Sequence, residues 1–162
     1  MLKLLISLLL LFPFLTKAQD SVKVNAVYIE AGGIGAYGSI GYERLFPISI
    51  KWQLGTRAGI STLNFVDFND KFNPDLILPI TISGYYGSKH QAEIGLANTI
   101  TGINEFVNND TKRNWSANGA LIIGYRFNAS RNPLFVKCFY SPMLIEYKRL
   151  IHWGGLAIGF RF

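Results

Sequence analysis

The sequence predicts an all-β protein, specifically an eight-stranded antiparallel up-and-down transmembrane β-barrel, on three observations. Apolar residues alternate with small or polar ones over stretch after stretch from Val27 to Phe162, the two-residue period of a strand. The 162 residues are 49% apolar and only 16% charged, with mean hydropathy +0.22, whereas soluble domains average about 25% charged. Beyond residue 20 no apolar run approaches the roughly 20 residues of a spanning helix, so strands must do any spanning.

The first 20 residues stand apart. Lys3, an apolar stretch from Leu4 to Leu15 and a small Ala18 before Gln19 and Asp20 have the layout of a cleavable secretory signal; the run is short for an anchor and Pro13 interrupts it. The expected organisation is a signal peptide at 1–18 and one barrel domain at 19–162, destined for the bacterial outer membrane. Losing Lys3 and Lys17 takes the formal net charge from +6 to about +4. No run of Lys or Arg suggests a nucleic-acid partner, and Cys138, the only cysteine, can form no internal disulfide.

The strands follow in order. Val27, Ile29 and Ala31 oppose Tyr28, Glu30 and Gly32; Ile40 and Tyr42 oppose Ser39, Gly41 and Glu43; Trp52, Leu54 and Ile60 oppose Gln53, Gly55 and Arg57. Then Leu78, Ile80, Ile82 and Tyr86 alternate with Thr81, Ser83 and Tyr85, and Ala92, Ile94 and Leu96 with Gln91, Glu93 and Gly95. The last three set Leu121, Ile123 and Tyr125 against Ala120, Gly124 and Arg126, Val136 and Cys138 against Phe135 and Lys137, and Leu156, Ile158, Phe160 and Phe162 against Ala157, Gly159 and Arg161. Links after even strands are short ("LFPIS", "SKH", "NASRNP"), and those after the third, fifth and seventh are longer, as periplasmic turns and external loops are in such barrels. Aromatics sort by height into two girdles: Tyr42, Trp52, Tyr86, Tyr125 and Phe127 at the periplasmic rim, with Phe160 and Phe162, and Trp115, Tyr140 and Trp153 at the outer rim.

Gly33, Gly35 and Gly38 in "AGGIGAYGSIG" have dinucleotide-loop spacing, but the following "YGSIGYERLF" alternates as a strand, so no helix N-terminus is available to hold a pyrophosphate. These glycines are expected at the tip of the first hairpin and at lumen-facing positions. Charges on the interior face form a candidate structural ion-pair network: Glu30, Glu43 and Glu93 with Arg57, Arg126, Lys137 and Arg161. Strand adjacency suggests Glu43 with Arg57, Glu93 with Arg126 and Glu30 with Arg161, a plug in preference to a conduit, because eight strands enclose only enough space for side chains.

Chemistry finds little purchase. No catalytic residue, cofactor or metal is expected: His90 and His152 lack HxxxH or HExxH partners, and "DFNDKFNPD" departs from the EF-hand pattern at Lys71 and Phe72. His152, Ser141 and Glu146 form the one candidate set for a lipid-hydrolysing rim site.

Three stretches, "VYIEAGGIGAYGSIGYERLF", "GYRF" and "WGGLAIGFRF", resemble a family of small bacterial outer-membrane β-barrel proteins with OmpA- or OmpX-like eight-stranded barrels. The resemblance spans nearly the whole mature chain and implies fold and location; the family has no agreed activity. It also implies that Leu156, Ile158, Phe160 and the final Phe162 serve as the signal read by the barrel-assembly machinery. The expected function is structural or surface-interacting, with outer-membrane lipid around the barrel and a partner of unidentified kind at loops 64–75, 102–114 and 143–152, where Phe65, Phe68, Phe72 and Phe106 are candidate anchors. The alternatives are a lipid-modifying barrel enzyme built on His152 and a secreted soluble barrel with an apolar ligand inside.

Overall fold

A computed structural model describes residues 24–62, 75–107 and 110–162; the proposed leader and most of loop 64–75, including Phe65, Phe68 and Phe72, lie outside these. Among the described residues there are ten β segments: β1 (Asn25–Gly32), β2 (Gly38–Pro47), β3 (Trp52–Ile60), β4 (Leu76–Gly87), β5 (His90–Val107), β6 (Asp110–Asn128), β7 (Leu134–Tyr140), β8 (Met143–Ile145), β9 (Arg149–Ile151) and β10 (Gly154–Arg161). Each pairs antiparallel with its neighbours in the order β5-β4-β3-β2-β1-β10-β7-β6, and β5 pairs back onto β6, closing the sheet into a barrel. Closure leaves no edge among the eight wall strands.

β8 and β9 continue the β7 and β10 lanes. Pro142 cannot donate to the ladder, yet its carbonyl accepts from Leu121 N–H at 3.1 Å and Ser141 N–H donates to Trp153 O at 2.9 Å, so the lanes run on past the interruption. The extension ends in a two-residue turn with Glu146 at φ 49° and Tyr147 at φ 56°, closed by Lys148 N–H donating to Ile145 O at 2.9 Å. Left-handed values at both positions match the strand twist of a hairpin.

The expectation of loops at 102–114 and 143–152 is corrected. Residues 102–114 are mostly strand, paired in register from Gly102↔Trp115 to Val107↔Asp110, and 143–152 holds the β8–β9 hairpin. The tip of the first hairpin, Gly33–Gly35, is a 3-10 turn folded into the loop end of the barrel, with Ile34 only 2% exposed. Gly32 and Gly33 sit at φ 73° and 79°, and an added Cβ on Gly33 would strike the Phe139 ring, so the turn requires glycine there.

The burial pattern fixes which face is which. Tyr28, Glu30, Glu43, Arg57, Thr81, Ser83, Tyr85, Glu93, Arg126 and Lys137 point inward and are buried, while Ile29, Ile82, Ile94, Leu96, Ile123 and Leu156 point out and are exposed. This barrel is polar within and apolar without.

Candidate functional site

The lumen has three layers along its axis: an apolar bowl at the end carrying the longer loops, a charged middle, and a polar mouth at the end carrying the short turns.

In the middle, three acids meet three bases. Arg57 Nη1 donates to Glu30 Oε2 at 3.3 Å, Arg126 Nη1 to Glu43 Oε2 at 2.6 Å, and Lys137 Nζ sits 2.8 and 2.6 Å from the two oxygens of Glu93. All six side chains are at most 3% exposed. Formal charge within the set cancels, which is what makes such burial tolerable. The Tyr85 hydroxyl lies between the pairs, 2.8 Å from Glu43 and 3.2 Å from Glu93, and Ser83 donates to Glu93 at 2.7 Å. Below, Arg126 Nε donates to Asn128 Oδ1 at 3.1 Å, Asn128 Nδ2 to Gln91 Oε1 at 2.8 Å, and Gln91 Nε2 to Gln53 Oε1 at 3.0 Å.

The partners differ from those adjacency suggests. Glu43 and Arg57 are register neighbours, yet Arg57 reaches Glu30 and Glu43 takes Arg126. In a narrow barrel, long side chains converge on the axis, so height after strand stagger selects the partner. Arg161 is the second correction: it stays out of the network, donating to the backbone oxygens of Pro133 at 3.4 Å and Ala129 at 3.3 Å.

Inward aromatics, which period-two reading places but does not single out, close the remaining space. The Arg126 guanidinium lies 3.7 Å from the Phe135 ring centroid, the Lys137 ammonium 4.7 Å from Phe139 and the Arg57 guanidinium 5.3 Å from Tyr28. Each ring lies against a glycine where a Cβ would clash: Tyr28 over Gly41, Tyr85 over Gly55, Phe135 over Gly159 and Phe139 over Gly155. The signal was there in the inward glycines, which admit a large ring from a neighbouring strand.

Above the charges, Ile34, Ala97, Ala120, Ile122, Phe139 and Met143 form an apolar cluster against which Ile145, Ile151 and Trp153 pack. Thr99 Oγ1 donates to Ile34 O at 2.9 Å and latches the inward turn. The bowl above it encloses about 420 Å³. Trp153 is thus corrected from the outer girdle to the inner wall, edge-on to Tyr37 at 6.2 Å, because odd positions on this lane face inward. Trp115 and Tyr140 are exposed, as are Tyr42, Trp52, Tyr86 and Tyr125, while Phe127 is half-buried beneath His90 and Lys89. Leu156, Ile158, Phe160 and Phe162 lie together on the exposed face.

The hydrolase set does not assemble. His152 Nδ1 hydrogen-bonds the Tyr140 hydroxyl, with the rings stacked at 6.0 Å, on the outer surface; Ser141 is fully buried, and Glu146 is exposed at the hairpin tip. Among the described residues no His, Cys, Asp and Glu cluster has metal-binding geometry.

No protein-family model and no curated protein matches the sequence. Among solved structures, the N-terminal β-barrel domain of Pseudomonas aeruginosa OprF is similar over 85% of this chain and 97% of its own, at 14% identity and a TM-score of 0.55. The chain has the fold of that barrel. Neisserial surface protein A aligns over 86% of this chain and 96% of its own at 10% identity and TM-score 0.48, and the Yersinia pestis attachment invasion locus protein Ail over 86% and 96% at 12% and 0.49.

Proposed function

We propose that the protein is a bacterial outer-membrane barrel, exported by a cleaved 1–18 leader, with a closed lumen as its structural core and a surface-interacting role at its loop end. One observation carries the membrane reading: exposed Ile29, Ile82, Ile94, Leu96 and Ile123 sit over a core of buried charge. A soluble barrel would place those side chains inside, since a continuous exposed apolar belt exceeds the few hundred Å² that water-facing surfaces usually carry. The OprF-like fold supports this reading.

The rings and paired charges buried together in the middle support a structural and not a conducting lumen. The loop end supplies the contact surface: residues 64–75, the paired extension 102–114 and the hairpin within 143–152. The outward set Leu156, Ile158, Phe160 and Phe162 is the proposed contact for the barrel-assembly machinery. The test is to delete 64–74 and shorten the two hairpins separately. Loss of surface binding or envelope integrity with the barrel still folded supports the role; unchanged binding and integrity rule it out.

A further inference from the structure

Arg161, unpaired with any carboxylate among the described residues, belongs to a wider asymmetry. The end of the barrel that carries the short turns bears Arg44, Lys51, Lys89, Arg131 and Arg161, and no Asp or Glu occurs in 44–52, 86–92 or 127–136. The nearest acid in sequence, Glu43, is buried on Arg126. Two of these cations, Arg44 over Phe46 at 5.6 Å and Lys89 over Phe127 at 5.5 Å, lie against outward aromatics. The other two arginines line a concave mouth of about 480 Å³ with Leu45, Gln53, Asn128 and Asn132. Gln53 gives its carbonyl to Gln91, and its amide NH2 has no partner among the described residues.

We propose that this mouth, periplasmic under the membrane reading on which the proposal rests, binds an acidic peptide segment. Arginine forks match carboxylates in two-point geometry, the Gln53 and Asn132 amides offer hydrogen bonds to peptide carbonyls, and the turns at this end, which carry Arg and Lys side chains and no Asp or Glu among the described residues, attract negative charge. The charge-neutral network above forms its floor, so the segment docks at the mouth and does not thread the barrel.

The experiment titrates fluorescent hexaglutamate onto the full-length protein in nanodiscs of neutral phosphatidylcholine, with hexaglutamine as control. The proposal expects saturable one-to-one binding of hexaglutamate alone, weakened by salt. Arg131→Gln, in an exposed turn, weakens it severalfold, and Arg131→Gln with Arg161→Gln by about tenfold or more; Lys148→Gln with Arg149→Gln at the opposite end leaves it unchanged. Absence of saturable binding, or binding indifferent to the two mouth arginines, overturns the proposal. Full competition by inorganic phosphate, or abolition on moving to phosphatidylglycerol nanodiscs, also overturns it, assigning the charge to free anions or to lipid headgroups respectively. Protein that fails to insert at all would instead contradict the membrane reading.

Discussion

Arg126 is the most consequential single side chain in the lumen, and its removal has a calculable cost. It is fully buried, bonded to Glu43 at 2.6 Å and to Asn128 at 3.1 Å, and packed against the Phe135 ring. Arg126→Met keeps most of the packing volume but leaves the Glu43 carboxylate buried with the Tyr85 hydroxyl as its remaining hydrogen-bond partner among the described residues. Breaking a buried pair from one side costs about 3–5 kcal/mol, whereas replacing both partners is nearly neutral. Glu43→Gln strands Arg126 and is expected to cost a similar amount, while the double variant should cost no more than the larger single one, a coupling of about 3 kcal/mol. Urea unfolding in lipid vesicles, followed by gel mobility and tryptophan fluorescence, measures all three. Single variants costing under about 1 kcal/mol, with additive effects, would contradict a dry, paired lumen, because a water-filled one would solvate the stranded charge.

Other consequences follow from the same structure. Gly33→Val forces a branched side chain onto a φ of 79° against the Phe139 ring; a loss of about 1–3 kcal/mol is expected in the same unfolding assay. Ile94→Arg, at an outward position 65% exposed, should cost about 2–4 kcal/mol in a bilayer, and an unchanged or raised stability would point to a water-facing wall. In planar bilayers the purified protein should show no steady conductance, since Arg126, Phe135, Tyr85 and Lys137 are buried together inside the barrel; a high, stable conductance would contradict that packing.

The fold was legible because barrel walls obey a strict two-residue period. From Val27 to Ala31, or Leu134 to Tyr140, each residue's face follows from its parity alone. Parity also places Glu30, Glu43, Arg57, Glu93, Arg126 and Lys137 in the lumen. It does not say how far a side chain reaches across the axis, so Arg57 met Glu30 two strands away, while Arg161, too close to the end of its strand, met backbone oxygens. Loop boundaries were less legible for another reason. "TGINEFVNNDTKRN" has the Asn and Asp content of a loop, yet it pairs to Val107↔Asp110 because the ladder from Gly102↔Trp115 carries on outward. Ile34, a lone apolar residue between glycines, was the available hint that the first turn folds inward.

The decisive measurement is the location and gel mobility of the expressed protein. Recovery in the outer-membrane fraction is expected, with unboiled protein migrating differently from boiled protein as a closed barrel resists denaturation by detergent. A soluble periplasmic protein with identical mobility before and after boiling would contradict it and mean that the apolar wall faces something other than lipid.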